Sequence, residues 1–191
     1  MGLGAVALIT AALVGAPAAV GGGSSIVASG TSFTPANTTV TQGTSVTWSF
    51  QGGTHTTTSN QGFWNSGSLS TGSFDQGMPS AGKFPYHCTF HESLGMKGSI
   101  AVPLKASGSA GSGWTLRWSQ SPVADGRAFD VQFRRQGTSA WQSFKTNTTA
   151  ASALFNRSRA GTYQLRARTT NTAAEPDKES GWSPVISRRI S

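Results

Sequence analysis

From residue 25 onward the chain is built of short runs in which apolar and polar residues alternate, broken every few positions by turn formers. Val46, Trp48 and Phe50 fall on one side of a run and Thr47 and Ser49 on the other, the period of a strand with one buried face. Phe84, Tyr86 and Cys88 repeat the pattern against Pro85 and His87, and 99–102 reads as a closing strand. Gln51-Gly52-Gly53, Asn60-Gln61-Gly62, Ser66-Gly67 and Ser80-Ala81-Gly82-Lys83 supply the turns. No stretch of more than a few helix-favouring residues interrupts this beyond residue 20. The expectation is an all-β chain, with a sandwich of about eight short strands over 26–102. Coiled coil and disorder are excluded: only 12% of residues are charged, while 6 Trp and 10 Phe are available to build cores. A chain of 191 residues without helices is also too small for a barrel enzyme of about 250 residues.

The pattern restarts after residue 113. Leu116 and Trp118 point one way. Phe129, Val131 and Phe133 alternate with Asp130, Gln132 and Arg134, and Tyr163, Leu165 and Ala167 alternate with Gln164, Arg166 and Arg168. Between the two halves, residues 103–113 read P-L-K-A-S-G-S-A-G-S-G. That composition predicts a flexible Gly/Ser linker with an r.m.s. span of about 18 Å, leaving the modules to move independently. Charge divides at the same place. The net +8 falls entirely between Pro103 and Ser191, where 13 basic residues face 5 acidic ones. Such asymmetry predicts two modules with different tasks.

At the N-terminus, residues 3–14 are apolar and uncharged, and Ala16-Pro17-Ala18 places small residues at a cleavage site after Ala18. Residues 1–18 are therefore expected to be a signal peptide, although no basic residue precedes the apolar run. The competing reading is an uncleaved anchor. Export predicts a secreted, cell-surface or periplasmic protein with no transmembrane span in the mature chain and no nucleic-acid partner.

Export makes the lone cysteine, Cys88, conspicuous, since it has no internal partner for a disulfide. Burial, nucleophilic catalysis, an intermolecular bridge and metal ligation are the possible uses. Its surroundings read C-x2-H-x4-M, with Cys88, His91 and Met96, and His55 lies 33 residues earlier after a Gly-Gly turn. One thiolate, two imidazoles and a thioether select copper over the oxygen-seeking Mg, Ca or Mn. Zinc accepts two His and a Cys but rarely a thioether. A Cys-His hydrolase reading lacks a third orienting group. The second half carries neither His nor Cys and so no catalytic constellation.

Residues 26–102 resemble a cupredoxin of the plastocyanin/pseudoazurin kind. The carrying residues are His55, Cys88, His91, Met96 and Gly98, with Ser66-Gly67, Gly72-Ser73-Phe74 and 81–86 upstream. Phe90 stands where many relatives have Pro before the second His. The resemblance implies one type 1 copper held by His55, Cys88, His91 and Met96, with His87 not a ligand. It also implies amide donors to the thiolate at Thr56 and Phe90, and an apolar rim of Met78, Pro79, Leu94 and Gly95 around His91. The expected function is one-electron transfer to a redox partner protein, with no enzymatic activity. Copper buffering or delivery, and adhesion or matrix binding with a secondary copper domain, are the alternatives.

Residues 114–191 resemble a fibronectin type III domain, on Leu116-x-Trp118, the Phe129/Val131/Phe133 run, Trp141, Gly161-Thr162-Tyr163-x-Leu165-x-Ala167 and Ser180-Gly181-Trp182-Ser183-Pro184. The resemblance implies an immunoglobulin-like sandwich with Tyr163 at its tyrosine corner. Arg157 replaces the usual Leu six residues before the Tyr, and Phe155 is expected to take over its core role. In that fold Arg134, Arg166 and Arg168, joined by Arg188 or Arg189, form a basic stripe on one outer face. The stripe is a candidate contact for an anionic surface.

Overall fold

The computed structural model describes residues 24–122 and 126–191; the expected signal segment lies outside them. The first module comprises β1 (Ser24–Ser29), β2 (Ser32–Thr34), β3 (Asn37–Thr39), β4 (Ser45–Gln51), β5 (Thr58–Ser59), β6 (Ser73–Gly77), β7 (Gly82–His87) and β8 (Lys97–Val102). They form two four-stranded sheets, β2-β1-β4-β6 and β3-β8-β7-β5. Alternation decides what each strand buries: Val46, Trp48 and Phe50 of β4, and Phe84 and Tyr86 of β7, point into one core. Trp48 is its centre, edge-on to Tyr86 at 5.4 Å and packed on Trp64 at 5.8 Å. Such aromatic pairs add about 0.5–1.5 kcal/mol each beyond their buried area.

The second module comprises β9 (Lys105–Ser109), β10 (Gly113–Arg117), β11 (Arg127–Arg135), β12 (Gln142–Thr148), β13 (Ser152–Phe155), β14 (Gly161–Asn171), β15 (Lys178–Glu179) and β16 (Ile186–Ile190). One sheet runs β13-β10-β9; the other runs β12-β11-β14, with β15 and β16 both on β14. Phe155 is fully buried beside Phe133 and Tyr163, at 5.3 and 5.5 Å. Tyr163 donates its hydroxyl to the Arg159 carbonyl at 2.7 Å, closing a tyrosine corner. The molecule is thus two all-β sandwiches.

The expectation of a flexible linker over 103–113 is wrong. Residues 105–109 are the edge strand β9, paired antiparallel with β10 from Lys105↔Arg117 to Ser109↔Gly113. Leu104, just before it, is buried in the second core. Only Pro103 and Leu104 separate β8 from β9. Ser and Gly residues formed this strand because backbone pairing asks nothing of their side chains.

Independent motion of the modules fails with it. The start of β7 is bonded into the second module. The Ala81 amide donates to the Trp118 carbonyl, and Lys83 and Gly181 exchange both amide bonds, each at 2.8 Å. Thr169 Oγ1 donates to the Ala81 carbonyl and Asn171 Nδ2 to the Gln61 carbonyl, both at 2.8 Å. The Gln120 amide reaches the Pro79 carbonyl at 3.0 Å. Gln42 donates to the Arg117 carbonyl at 2.8 Å and accepts Lys105 Nζ on its own carbonyl at 3.1 Å. Ala81 itself belongs to the second core.

On the outer face of the larger sheet, Arg134, Arg166 and Arg168 alternate with tryptophans. Arg134 lies over Trp141 at 4.6 Å, and Arg166 lies over Trp141 at 4.0 Å and Trp182 at 4.4 Å. Arg168 lies over Trp182 at 4.7 Å. Their polar edges are taken as well: Arg134 by Gln164, Arg166 by Gln132, and Arg168 by Asp130 and Glu179. Arg189, paired with Thr162, shares that face by register, whereas Arg188 stacks on Trp114 at 5.2 Å.

Candidate metal centre

β7 ends at His87, so the next residue, Cys88, continues its inward face and is fully buried. A tight turn follows. The His91 amide bonds the Cys88 carbonyl at 3.2 Å, and a single 3-10 turn spans Glu92–Leu94. The Met96 amide then bonds the His91 carbonyl, and the Cys88 amide bonds the Met96 carbonyl, both at 3.1 Å. This ladder brings the C-x2-H-x4-M residues onto one loop and buries Met96 completely. Gly98 allows it to close: a Cβ there would lie 2.3 Å from the Ala36 carbonyl oxygen and 2.4 Å from the Tyr86 ring. His55 comes from the segment after β4 and is held by a bridge to Leu69.

The ligand atoms of His55, Cys88 and His91 all lie within 4.8 Å of one another. Cys88 Sγ is 3.4 Å from His91 Nδ1 and 4.0 Å from His55 Nδ1. Metal–sulfur and metal–nitrogen bonds of ordinary length, meeting at a trigonal angle, would put S and N about 3.8 Å apart. The two distances bracket that value, so one ion fits all three residues without rebuilding the loop. Their chemistry fits too: soft sulfur with two imidazoles suits copper.

The surroundings fix each donor. His55 Nε2 faces the Gln51 carbonyl at 3.2 Å, which sets the proton on Nε2 and leaves Nδ1 turned to the sulfur. Burial holds the His55 pKa below its ordinary value, and the nearby His91 imidazole adds to this against the Gln51 carbonyl. A neutral ring is the form that ligates. The Thr56 amide donates to Cys88 Sγ at 3.4 Å, as expected. The companion bond expected from the Phe90 amide is absent among the described residues. Instead the Thr89 amide donates to Thr56 Oγ1 at 2.9 Å and ties the two ligand-bearing segments together. That cross-link had no sequence signal beyond the presence of the threonines.

The rim differs from expectation. Met78 is buried in the core, and the Pro79 carbonyl accepts a bond from the second module, at the opposite end of β7 from the sulfur. The exposed apolar residues beside His91 are Phe90, at 53%, and Leu94, at 65%. His87 turns away from the cluster toward Asn60, at 2.7 Å, and Glu92, at 3.7 Å.

No protein-family model matches the chain, and no curated protein matches it. Solved structures do. A mutant plastocyanin of fern is 21% identical, covering 41% of this chain and 99% of its own, with a TM-score of 0.38. A purple cupredoxin from Nitrosopumilus maritimus is 26% identical over 41% of this chain and 98% of its own, with a TM-score of 0.38. The FN1–FN3 domains of chicken CNTN1 are 13% identical over 78% of this chain and 62% of theirs, with a TM-score of 0.35. The chain thus has cupredoxin structural neighbours over about 41% of its length and a weaker fibronectin-type neighbour.

Proposed function

We propose that the chain is an exported, non-enzymatic blue-copper protein that carries single electrons, with its second module rigidly attached as a placement domain. The observation that carries this reading is the buried triangle of His55, Cys88 and His91 with an amide hydrogen on the sulfur. Met96, buried at the end of the same loop, would be the further, thioether donor to a copper held by His55, Cys88 and His91. Copper bound here would supply the one-electron couple Cu(II)/Cu(I). The protein's part is to hold the donors nearly unchanged through that couple. The Gln51 carbonyl fixes the His55 ring, the Thr56 amide fixes the sulfur, and the bonds between Cys88, His91 and Met96 fix the loop. Electrons enter and leave at the part-exposed His91, between Phe90 and Leu94, where an apolar partner surface can exclude water. Hydrolytic chemistry would need an orienting group for His91, and the cluster holds none besides His55 and Cys88.

Export rests on the apolar N-terminal segment; among the described residues no helix is long and apolar enough to cross a membrane. The test is the visible spectrum of the purified chain titrated with Cu(II). An intense thiolate-to-copper band should saturate at one equivalent, vanish in Cys88→Ser and persist in Met96→Leu with a changed reduction potential. A colourless one-to-one complex would overturn the assignment.

A further inference from the structure

The three arginines of the outer-face stripe are stacked and hydrogen-bonded within the molecule. A second group of arginines lies elsewhere on the same module. A cavity of about 540 Å³ opens between the β11–β12 turn and the β13–β14 loop. It is lined by Arg135, Arg157 and Arg159, with Gln142 and Ser158 as further donors and no acidic residue, while the Thr138 hydroxyl there is spent on the Arg135 carbonyl at 2.7 Å. Phe133 and Tyr163, both nearly inaccessible, form its floor.

Two of the guanidiniums are placed in advance. Arg157 is stacked over Phe133 at 4.6 Å, and Arg135 donates to the Ala160 carbonyl at 3.1 Å. The Arg159 carbonyl receives the Tyr163 hydroxyl, which pins the loop that carries both Arg157 and Arg159. None of the three forms a salt bridge among the described residues. Three like charges around one opening repel one another, and a bound anion relieves that repulsion. The volume falls within the range of ligand sites, roughly 300–1,000 Å³. Arginine forks bind planar and tetrahedral oxyanions through paired hydrogen bonds. Three forks with the Ser158 hydroxyl match a dianion with three or more acceptor oxygens better than a carboxylate with two.

We propose that this cavity is a phosphate-binding site, taking a phosphate monoester either free in solution or as a lipid headgroup. Phe155 fills the core beside Phe133 and Tyr163, which leaves the exposed Arg157 to line the cavity. The site is remote from the copper ligands. Arg135 pairs with Tyr163, whereas Arg127, at the other end of β11, pairs with Asn171, which reaches the first module. The eight steps between them span about 27 Å.

The proposal does not rest on the copper reading, and the metal-free full chain serves for its test. Calorimetric titration with pyrophosphate and co-sedimentation with phosphatidic acid vesicles, each at low and high salt, distinguish a soluble phosphate from a headgroup. Arg157→Gln/Arg159→Gln should weaken binding about tenfold or more, and Lys145→Gln, which removes a charge elsewhere on the module, should leave it within about twofold. Arg159→Gln alone, which disturbs no stacking contact, should weaken it about threefold or more and guards against misfolding of the double variant. Binding of either probe with that pattern supports the site. Absence of binding to both at low salt, or equal loss in Lys145→Gln, overturns it.

Discussion

Copper loading should raise the thermal stability of both modules together, although every candidate ligand lies in the first. The eight hydrogen bonds that join the modules contribute about 0.5–1.5 kcal/mol each, or about 4–12 kcal/mol in all. A module of about eighty residues is stable by about 4–12 kcal/mol at ordinary values per residue. Docking is therefore as large as the stability of either partner, and neither can unfold while the other keeps its contacts. A ligand bound only by the folded state adds about 2.7 kcal/mol at a hundred times its Kd. For a chain of this size that is about 5–11 °C in Tm. Differential scanning calorimetry of metal-free and copper-loaded full chain should show one endotherm that moves as a whole, and no shift in Cys88→Ser. Two endotherms, of which copper moves one, would refute the coupling and restore the flexible connection that the Gly/Ser composition suggested.

Gly98→Ala should cost about 1–3 kcal/mol in urea unfolding, because its Cβ collides with the Ala36 carbonyl and the Tyr86 ring, neither able to yield. For His55 the sign follows from its lowered pKa. As pH falls below about 6.5 the unfolded chain takes up the proton first, so metal-free stability should decline from there downward. Urea midpoints across that range should show a flatter decline in His55→Gln, and an unchanged slope would count against the burial of a neutral ring. Trp182→Ala removes the stacking partner of Arg166 and Arg168 and should cost about 1–2 kcal/mol in the same assay without altering the copper spectrum.

The strands were legible because alternation reports a buried face directly, as at Val46, Trp48 and Phe50. The cluster of His55, Cys88 and His91 was legible because such residues carry their chemistry in their side chains, two of them at a fixed short spacing. What escaped is carried by the backbone. β9 is an edge strand of Lys, Ala, Ser and Gly whose pairing leaves no periodic apolar mark. Half of the bonds that dock the modules are between main-chain groups, at Pro79, Ala81, Lys83 and Gly181, and such carbonyls and amides leave no mark in the sequence. Met78 and Pro79 were misplaced because nearness to β7 in sequence does not say at which end of the strand a residue lies. Trp141 and Trp182 were visible as aromatics, but their interleaving with arginines depends on register across three strands.

β7 begins in the contact between modules, at Gly82 and Lys83, and delivers Cys88 at its far end. Over its length of about 20 Å it acts as a strut, with neighbours on both sides and no hinge between the joint and the sulfur. The molecule therefore tumbles as one body, and the apolar patch at Phe90 and Leu94 keeps a constant bearing relative to the arginine cavity. Whatever meets that patch does so only when the entire protein has turned to face it. Anchoring the far module would set the compass heading of the patch as well as its distance from the surface.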